Sequence, residues 1–291
     1  MINKNRITIF DGINTFIIVI LVLACLLPFL HILAVSLSDS GPIMSGKVTF
    51  YPLELTFEAY TRVFTDVLML KSLWFTIILT VSFTLLAMIM TTMAAYTLSN
   101  NLKGKKLFMF IIVFTMFFSG GLIPDYLLMK DLKLLDSFWV LVLPGLVSPF
   151  NMIIMINFFK STIPDGLLEA AEIDGCSDFG KLFKVVLPLS APVLATLSLF
   201  YAVGRWNGFR DALFYISDQS LYPLQLKLYQ MVMNNMISEV TLAEGANAAV
   251  KLLPESLKAA SIMFATVPIL LVYPWLQRYF VSGLTLGSVK G

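Results

Sequence analysis

Apolar residues gather into six long runs, near 13–35, 73–98, 107–123, 138–159, 186–204 and 259–280, separated by shorter polar stretches. Each run meets or approaches the roughly 20 apolar residues with which a helix crosses a hydrocarbon core about 30 Å thick. The third is the shortest and is expected to run on past Pro124. The pattern therefore predicts an all-α integral membrane chain of six transmembrane helices. Its first run follows Lys4 and Arg6, as a secretory leader does, and Val22-Leu23-Ala24-Cys25 loosely resembles a lipoprotein cleavage box. Apolar sequence continues through Leu26, Leu27, Phe29, Leu30 and Ile32 to Val35, which is longer than a cleavable core and predicts an uncleaved anchor.

Composition strengthens this picture. At 291 residues a soluble chain would be expected to form two domains, but 58% of residues are hydrophobic and only 13% are charged. The mean hydropathy is +0.85. That charge is about half the share of a soluble globular protein and leaves too little to solvate a surface of this size, which excludes a soluble enzyme. A net charge of +2 lacks the basic excess of a nucleic-acid binder. Two cysteines, Cys25 and Cys176, and one histidine, His31, supply neither a disulfide framework nor a multi-histidine metal site.

Six crossings place both termini on one side, and the position of charge selects the side. Lys4, Arg6, Lys103, Lys105, Lys106, Lys160, Lys181, Lys184, Arg278 and Lys290 are ten basic residues in about 60 positions on the terminal side, against ten in about 100 on the other. The density predicts cytoplasmic N and C termini, with the clearest contribution from the Lys103-Gly104-Lys105-Lys106 loop. Segment 160–185 is then cytoplasmic, and 36–72 and 205–258 are external. The expected division is an anchor helix with external segment over 1–72, a transmembrane core over 73–280, and a cytoplasmic tail over 281–291.

The predicted spans carry no ionisable residue near their midplane, which disfavours a proton- or sodium-driven carrier. His31 lies near the outer end of the first helix, where an interfacial or packed imidazole is expected. Gly41-Pro42-Ile43-Met44-Ser45-Gly46-Lys47-Val48 falls one residue short of a phosphate-binding loop: Val48 stands where the magnesium-binding hydroxyl belongs, and Pro42 removes a backbone donor. The segment reads as a turn. Pro28, Pro144, Pro149, Pro188, Pro192, Pro268 and Pro274 fall in or at the edges of the spans and predict kinked helices. Such breaks are tolerated around a water-filled path. Ser148, Asn151 and Asn157, with Thr76, Thr80 and Thr84, are either helix-to-helix glue or the lining of a route for a neutral, hydroxyl-rich solute. Phe150 and Tyr201 add aromatic faces on which sugar C–H groups stack.

Between the fourth and fifth runs, Pro164 and Asp165 suit a helix start and Gly175 a left-handed stop. The spacing predicts a helix of about 11 residues, near 16 Å long. Leu167, Leu168, Ala171 and Ile173 give it an uneven apolar surface, and Glu169, Glu172 and Asp174 give it anionic edges. It is either an interfacial linker or a lever gripped by a partner.

The loop's wider pattern, Glu169-Ala170-Ala171-x3-Gly175-x9-Val185-x-Leu187-Pro188, resembles the EAA loop of binding-protein-dependent ABC import permeases, E-A-A-x3-G-x9-I-x-L-P, with Val185 replacing the customary isoleucine. The resemblance covers about residues 70–291 and is to the carbohydrate branch, the MalG-like subunits with a MetI-like core, and within it to Lpl/Ytc-type oligosaccharide permeases. Leu143-Pro144, Asn151, Phe158-Phe159, Ile163-Pro164, Ile173-Asp174-Gly175, Trp206-Asn207 and Gly283-Leu284-Thr285-x-Gly287-x-Val289-Lys290-Gly291 carry it.

The resemblance implies a non-enzymatic permease subunit in a bacterial cell membrane, without a cofactor of its own. ATP and magnesium would be bound by two partner ATPase subunits. A second, similar permease, an extracellular solute-binding protein and an oligosaccharide would complete the system. Glu169, Ala170, Ala171, Asp174, Gly175, Leu187 and Pro188 would couple to the ATPase. Gly287, Val289, Lys290 and Gly291 would reach into the ATPase dimer, and Ser148, Asn151 and Tyr201 would border the substrate path. An ABC permease for amino acids or peptides would share the loop, though not the expected Gly-Leu-Thr tail. An ion-coupled carrier and an integral-membrane enzyme are the more distant alternatives.

Overall fold

Apolar runs in lipid must satisfy their backbone internally, and here they do so as helices. The computed structural model describes residues 9–100, 102–243 and 254–285, with side chains over 9–100, 102–235 and 254–272. The described residues form helices joined by turns and contain no strand, only an isolated antiparallel bridge between Ser38 and Leu55. By chain contacts they fold as two compact units, one of residues 1–70 and 228–267, the other of residues 71–227 and 268–291.

Three helices are individually long and apolar enough to cross a bilayer: α1 (Ile9–Ser36), α4 (Val67–Ser99) and the Glu255–Val272 part of α14 (Glu255–Thr285). At 33 residues α4 is about 50 Å long, well beyond the hydrocarbon thickness. Three further pairs of segments reach the required length and apolarity only together, and each is bent. In the third run, α5 (Lys105–Phe117) and α6 (Leu122–Asp131) turn through 115° about Gly121, whose φ of +90° ends any straight path through Pro124. In the fourth, 3-10 turns at Phe138–Leu141 and Leu143–Gly145 precede α7 (Pro149–Thr162), at 49°. In the fifth the bend is 84°, between Asp178–Leu189 and Ala191–Asn207. Prolines 144, 149, 188 and 192 lie at or beside the last two breaks, where a missing N–H costs least.

In the first unit, α1 continues through Pro28, and its residues up to Leu33 are largely exposed within the chain. The connection that follows folds back on its end: Ser36 Oγ lies 2.8 Å from the Tyr60 hydroxyl, and Leu53 N–H donates to Ser38 Oγ at 3.0 Å. The Gly41–Val48 segment is a short helix, α2 (Ser40–Met44), capped by Asp39 and closed by Gly46 at φ +67°. His31 Nδ1 is 2.7 Å from the Thr49 carbonyl oxygen. α3 (Glu58–Thr65) packs Phe64 edge-on against Phe264.

The second unit holds the larger core. Ala95, Tyr96 and Leu98 of α4 meet Met152, Met155, Ile156 and Phe159 of α7, and Val193 and Leu197 of α11 (Ala191–Asn207). Thr91 Oγ1 and the Tyr201 hydroxyl join α4 to α11 at 2.6 Å. Thr76 Oγ1 donates to Ser72 O and accepts from the N–H of Leu224, tying α4 to the start of α13 (Leu224–Ala243). Thr80 and Thr84 hydroxyls are buried without a hydrogen-bond partner among the described residues.

Candidate functional site: the acidic loop and an arginine-lined cavity

The predicted loop helix forms as α8, Asp165–Ile173. It has nine residues rather than about 11, because Pro164 has ψ 139° and stands at the cap, its carbonyl accepting from Leu167 N–H at 3.0 Å. Asp174 is already the C-terminal cap. The stop is a Schellman arrangement: Gly175 at φ +80° donates to Glu172 O, and Cys176 donates to Ala171 O, both at 2.9 Å. A side chain at 175 would meet nothing within 4 Å, so glycine is needed there for its backbone alone.

Glu169, Ala170, Asp174 and Gly175 are exposed and Ala171 is half-buried. Lys181 fastens the loop to itself, with Nζ 2.9 Å from Glu172 Oε2 and 3.1 Å from Asp178 Oδ1. Hydrogen bonds to Glu172 and then Asp178 hold the Lys181 ammonium well above its ordinary value. Glu172 is thus occupied, and Glu169 makes no ion pair among the described residues. Large apolar side chains stand exposed nearby: Ile173 at 87%, Phe179 at 65% and Phe183 at 62%. An unpaired carboxylate beside uncovered apolar groups suits contact with another chain better than solvation.

The loop is seated firmly on the unit behind it. After α9 (Asp178–Lys181) the chain widens into a π turn, Leu182–Val186, in which Leu187 N–H bonds back to Leu182 O. Pro188 follows in α10 (Leu187–Leu189); it lacks the N–H that a regular helix would aim at Lys184, which accounts for a widened turn here. Leu182 and Val186 are buried, and Leu168 and Leu187 pack against the same α4–α7–α11 core. Close-packed side chains therefore connect α8 to the core that α7 and α11 share.

A cavity of about 550 Å³ lies at the other ends of those two helices. Ser148 and Asn151 from the start of α7, and Tyr201 and Arg205 from the end of α11, line it, with Arg210 and Asp211 of α12 (Arg210–Tyr215). Arg205 is buried and forks onto Asp211, Nη1 to Oδ2 at 2.5 Å and Nη2 to Oδ1 at 2.9 Å. Nη1 also donates to Leu141 O at 2.8 Å, and the guanidinium lies over Phe83 at 5.8 Å. A bidentate pair with a buried arginine and a half-buried carboxylate fixes the α11–α12 corner.

The three residues expected along the substrate path thus share one cavity wall, but their polar atoms differ in availability. Tyr201 hydroxyl is engaged by Thr91 and by Ser148 N–H at 3.3 Å, and Ser148 Oγ caps α7 by accepting from Asn151 N–H at 3.3 Å. The Asn151 side chain has no hydrogen-bond partner among the described residues. Gly287, Val289, Lys290 and Gly291 lie outside the described residues. Sequence reasoning missed Arg205, Arg210 and Asp211 by starting the external segment at 205, whereas α11 runs to Asn207. The only signal was three charges within seven residues after an apolar run. It also counted Lys181 only toward topology.

Residues 5–286 match the profile of the family described as binding-protein-dependent transport system inner membrane component. The polygalacturonan/rhamnogalacturonan transport system permease protein YtcP of Bacillus subtilis (strain 168) is 42% identical over 290 residues, 99% of this chain and 100% of the relative. Protein LplC of the same organism is 43% identical over 268 residues, 91% of this chain and 90% of the relative. A crystal structure of a bacterial ABC transporter involved in the import of the acidic polysaccharide alginate contains a chain that is 33% identical, with a TM-score of 0.85, covering 95% of this chain and all of that one. This protein therefore belongs to the family of binding-protein-dependent transport system inner membrane components and is an ABC importer permease, not an enzyme.

Proposed function

We propose that the chain is one of two permease subunits in an importer of oligosaccharides, driven by two ATPase subunits and fed by an extracellular binding protein. Its six spans, three of them bent, place both termini in the cytoplasm, with 1–72 as anchor and external segment, 73–280 as transport core and 281–291 as tail. ATP and magnesium belong to the ATPase subunits. Glu169, Ala170, Ala171, Asp174 and Gly175 present the coupling helix, and Leu187 and Pro188 join it to the fifth span. Gly287, Val289, Lys290 and Gly291 reach toward the ATPase dimer. ATPase closure pulls α8, and rigid-body movement of α7 and α11 exchanges inward- and outward-facing states. The sugar class follows the names of the relatives, which carry oligosaccharides and polysaccharides.

The observation that carries this reading is an exposed, Schellman-closed helix with a free Glu169, seated by Leu168 and Leu187 on the core of the spanning helices. Its test is ATP-dependent uptake of oligosaccharides by the full assembly in proteoliposomes. Uptake under an ion gradient without the ATPase subunits, or uptake of peptides or amino acids in place of sugars, overturns it.

A further inference from the structure

Within the second unit, the ends of α4 and α7 and the start of α5 bring four lysines side by side. Lys103, Lys105 and Lys106 follow α4, and Lys160 stands in the last turn of α7. Among the described residues none of the four forms an ion pair. Lys105 Nζ donates to the carbonyl oxygens of Ser99 and Asn100, both at 3.0 Å, and Lys160 stands within hydrogen-bond reach of it. Ammonium groups only donate, so neither can bond the other and the contact is repulsive. Open carbonyls at a helix C-terminus attract a cation, which explains one lysine at the end of α4 and one at the end of α7. They do not explain the exposed Lys103 and Lys106, nor two ammonium groups in contact. Asp165 is the one carboxylate in the small recess that Lys160 shares with Ser99 and Asn100, and it pairs with none of the four. Four positive groups stand against one acid.

A second observation concerns what lies beside them. The turns of α5 just after the cluster direct Leu107, Phe108 and Ile111 outward, at 62%, 50% and 49% exposure. Met109 and Ile112, on the other face, pack on the core with Phe158. A cationic rim above an uncovered apolar face complements an amphiphile with an anionic head, and basic recesses between spanning helices hold lipid headgroups in this way. A free phosphate or a nucleotide would use the lysines and leave the apolar face bare.

We propose that this corner is a binding site for an anionic phospholipid of the inner leaflet. Its phosphate lies between Lys105 and Lys160, Lys103 and Lys106 add attraction, and an acyl chain runs along Leu107, Phe108 and Ile111. The bound lipid turns a repulsive contact into a clamp between the start of α5 and the end of α7, close to Pro164 where the acidic-loop helix begins. The inference rests on the topology proposed above, which puts this end of the helices in the cytoplasm.

The test uses the complete transporter, stripped of lipid in detergent and offered dioleoylphosphatidylglycerol or dioleoylphosphatidylcholine, with bound lipid counted by native mass spectrometry. At one site the wild type holds phosphatidylglycerol at least about tenfold more tightly than phosphatidylcholine, the scale of two lysines acting on an anionic headgroup. Lys105→Gln with Lys160→Gln loses that site, and Lys105→Arg with Lys160→Arg keeps it. Should the glutamine pair fail to assemble, Lys105→Gln alone carries the comparison with a smaller loss. Equal phosphatidylglycerol binding by wild type and glutamine variants overturns the site, as does displacement by inorganic phosphate as effective as by the lipid itself. Either result leaves the importer reading standing if the same preparation takes up sugar with ATP. Labelling of Lys103→Cys in intact cells by a membrane-impermeant maleimide removes the topology instead, and the inner-leaflet site with it.

Discussion

The acidic loop and the arginine-lined cavity lie at opposite ends of the same two helices and are built by opposite rules. In the loop, the key carboxylate Glu169 and the apolar Ile173, Phe179 and Phe183 are left uncovered, and the shape is held by backbone bonds and one lysine. In the cavity, the framework side chains Arg205 and Tyr201 are buried and committed: Arg205 to Asp211 and Leu141, Tyr201 to Thr91 and Ser148. On the proposed coupling role, a surface that is gripped and released keeps its bonding capacity free, whereas a wall that holds its shape spends most of it internally. Substitutions at the loop should therefore damage coupling while sparing the fold, and substitutions of the cavity framework should damage the fold first.

The sharpest break in that comparison is Gly175→Val. A β-branched residue at φ +80° carries about 1–2 kcal/mol of strain or more, enough to fray the Schellman turn. Sugar uptake and sugar-stimulated ATPase should be abolished with membrane insertion unchanged, whereas Gly175→Asn, which tolerates this conformation, should retain much of both. Wild-type uptake by the valine variant would refute the lever.

Arg205→Ala should lower stability by about 1.5–3 kcal/mol, read in thermal unfolding of the purified complex, since it removes a forked ion pair and leaves the half-buried Asp211 without its partner. The double variant Arg205→Met with Asp211→Leu should recover most of that loss. A single variant as stable as wild type would show that the cavity wall does not depend on the pair.

At the loop again, Glu169→Lys should reduce copurification of the ATPase by at least about tenfold, on the scale of one lost charge-assisted contact of about 1.5–3 kcal/mol. Full retention would count against Glu169 as the anchor. Lys181→Met should cost about threefold in coupled uptake, the modest effect of a brace whose acidic partners face solvent, with Lys181→Arg near wild type.

The smallest expected effect is that of alkaline pH. The folded-state value of Lys181 is raised, so its contribution is complete below the unfolded value of about 10.4 and fades only as pH rises through the folded one. Coupling stoichiometry between pH 7 and 9 should thus not change through this residue. A fall in that window that Lys181→Arg prevents would show the brace to be weaker than its geometry.

The loop was legible in the sequence because its parts are neighbours. Glu169, Gly175 and Pro188 lie within one 20-residue stretch, and each acts through rules that depend on local backbone: a free acid on a short helix, a left-handed stop, a missing donor. Even so, its length was overestimated, since Pro164 and Asp174 each lie outside the helix they flank. The cavity was legible only as separate polar residues. Phe83, Ser148 and Tyr201 come from segments far apart in the chain, and which hydroxyl is spent and which amide is free depends on partners found only on folding.

By itself the sequence determined that the chain is helical, membrane-embedded and carries a short acidic helix with a left-handed stop, because hydrophobic length and turn chemistry act over a few residues at a time. Tertiary structure decided where the apolar runs bend and which charges cancel. It also decided that Asn151 and Arg210 are left free on one wall, because pairing and burial are set by contacts between distant segments.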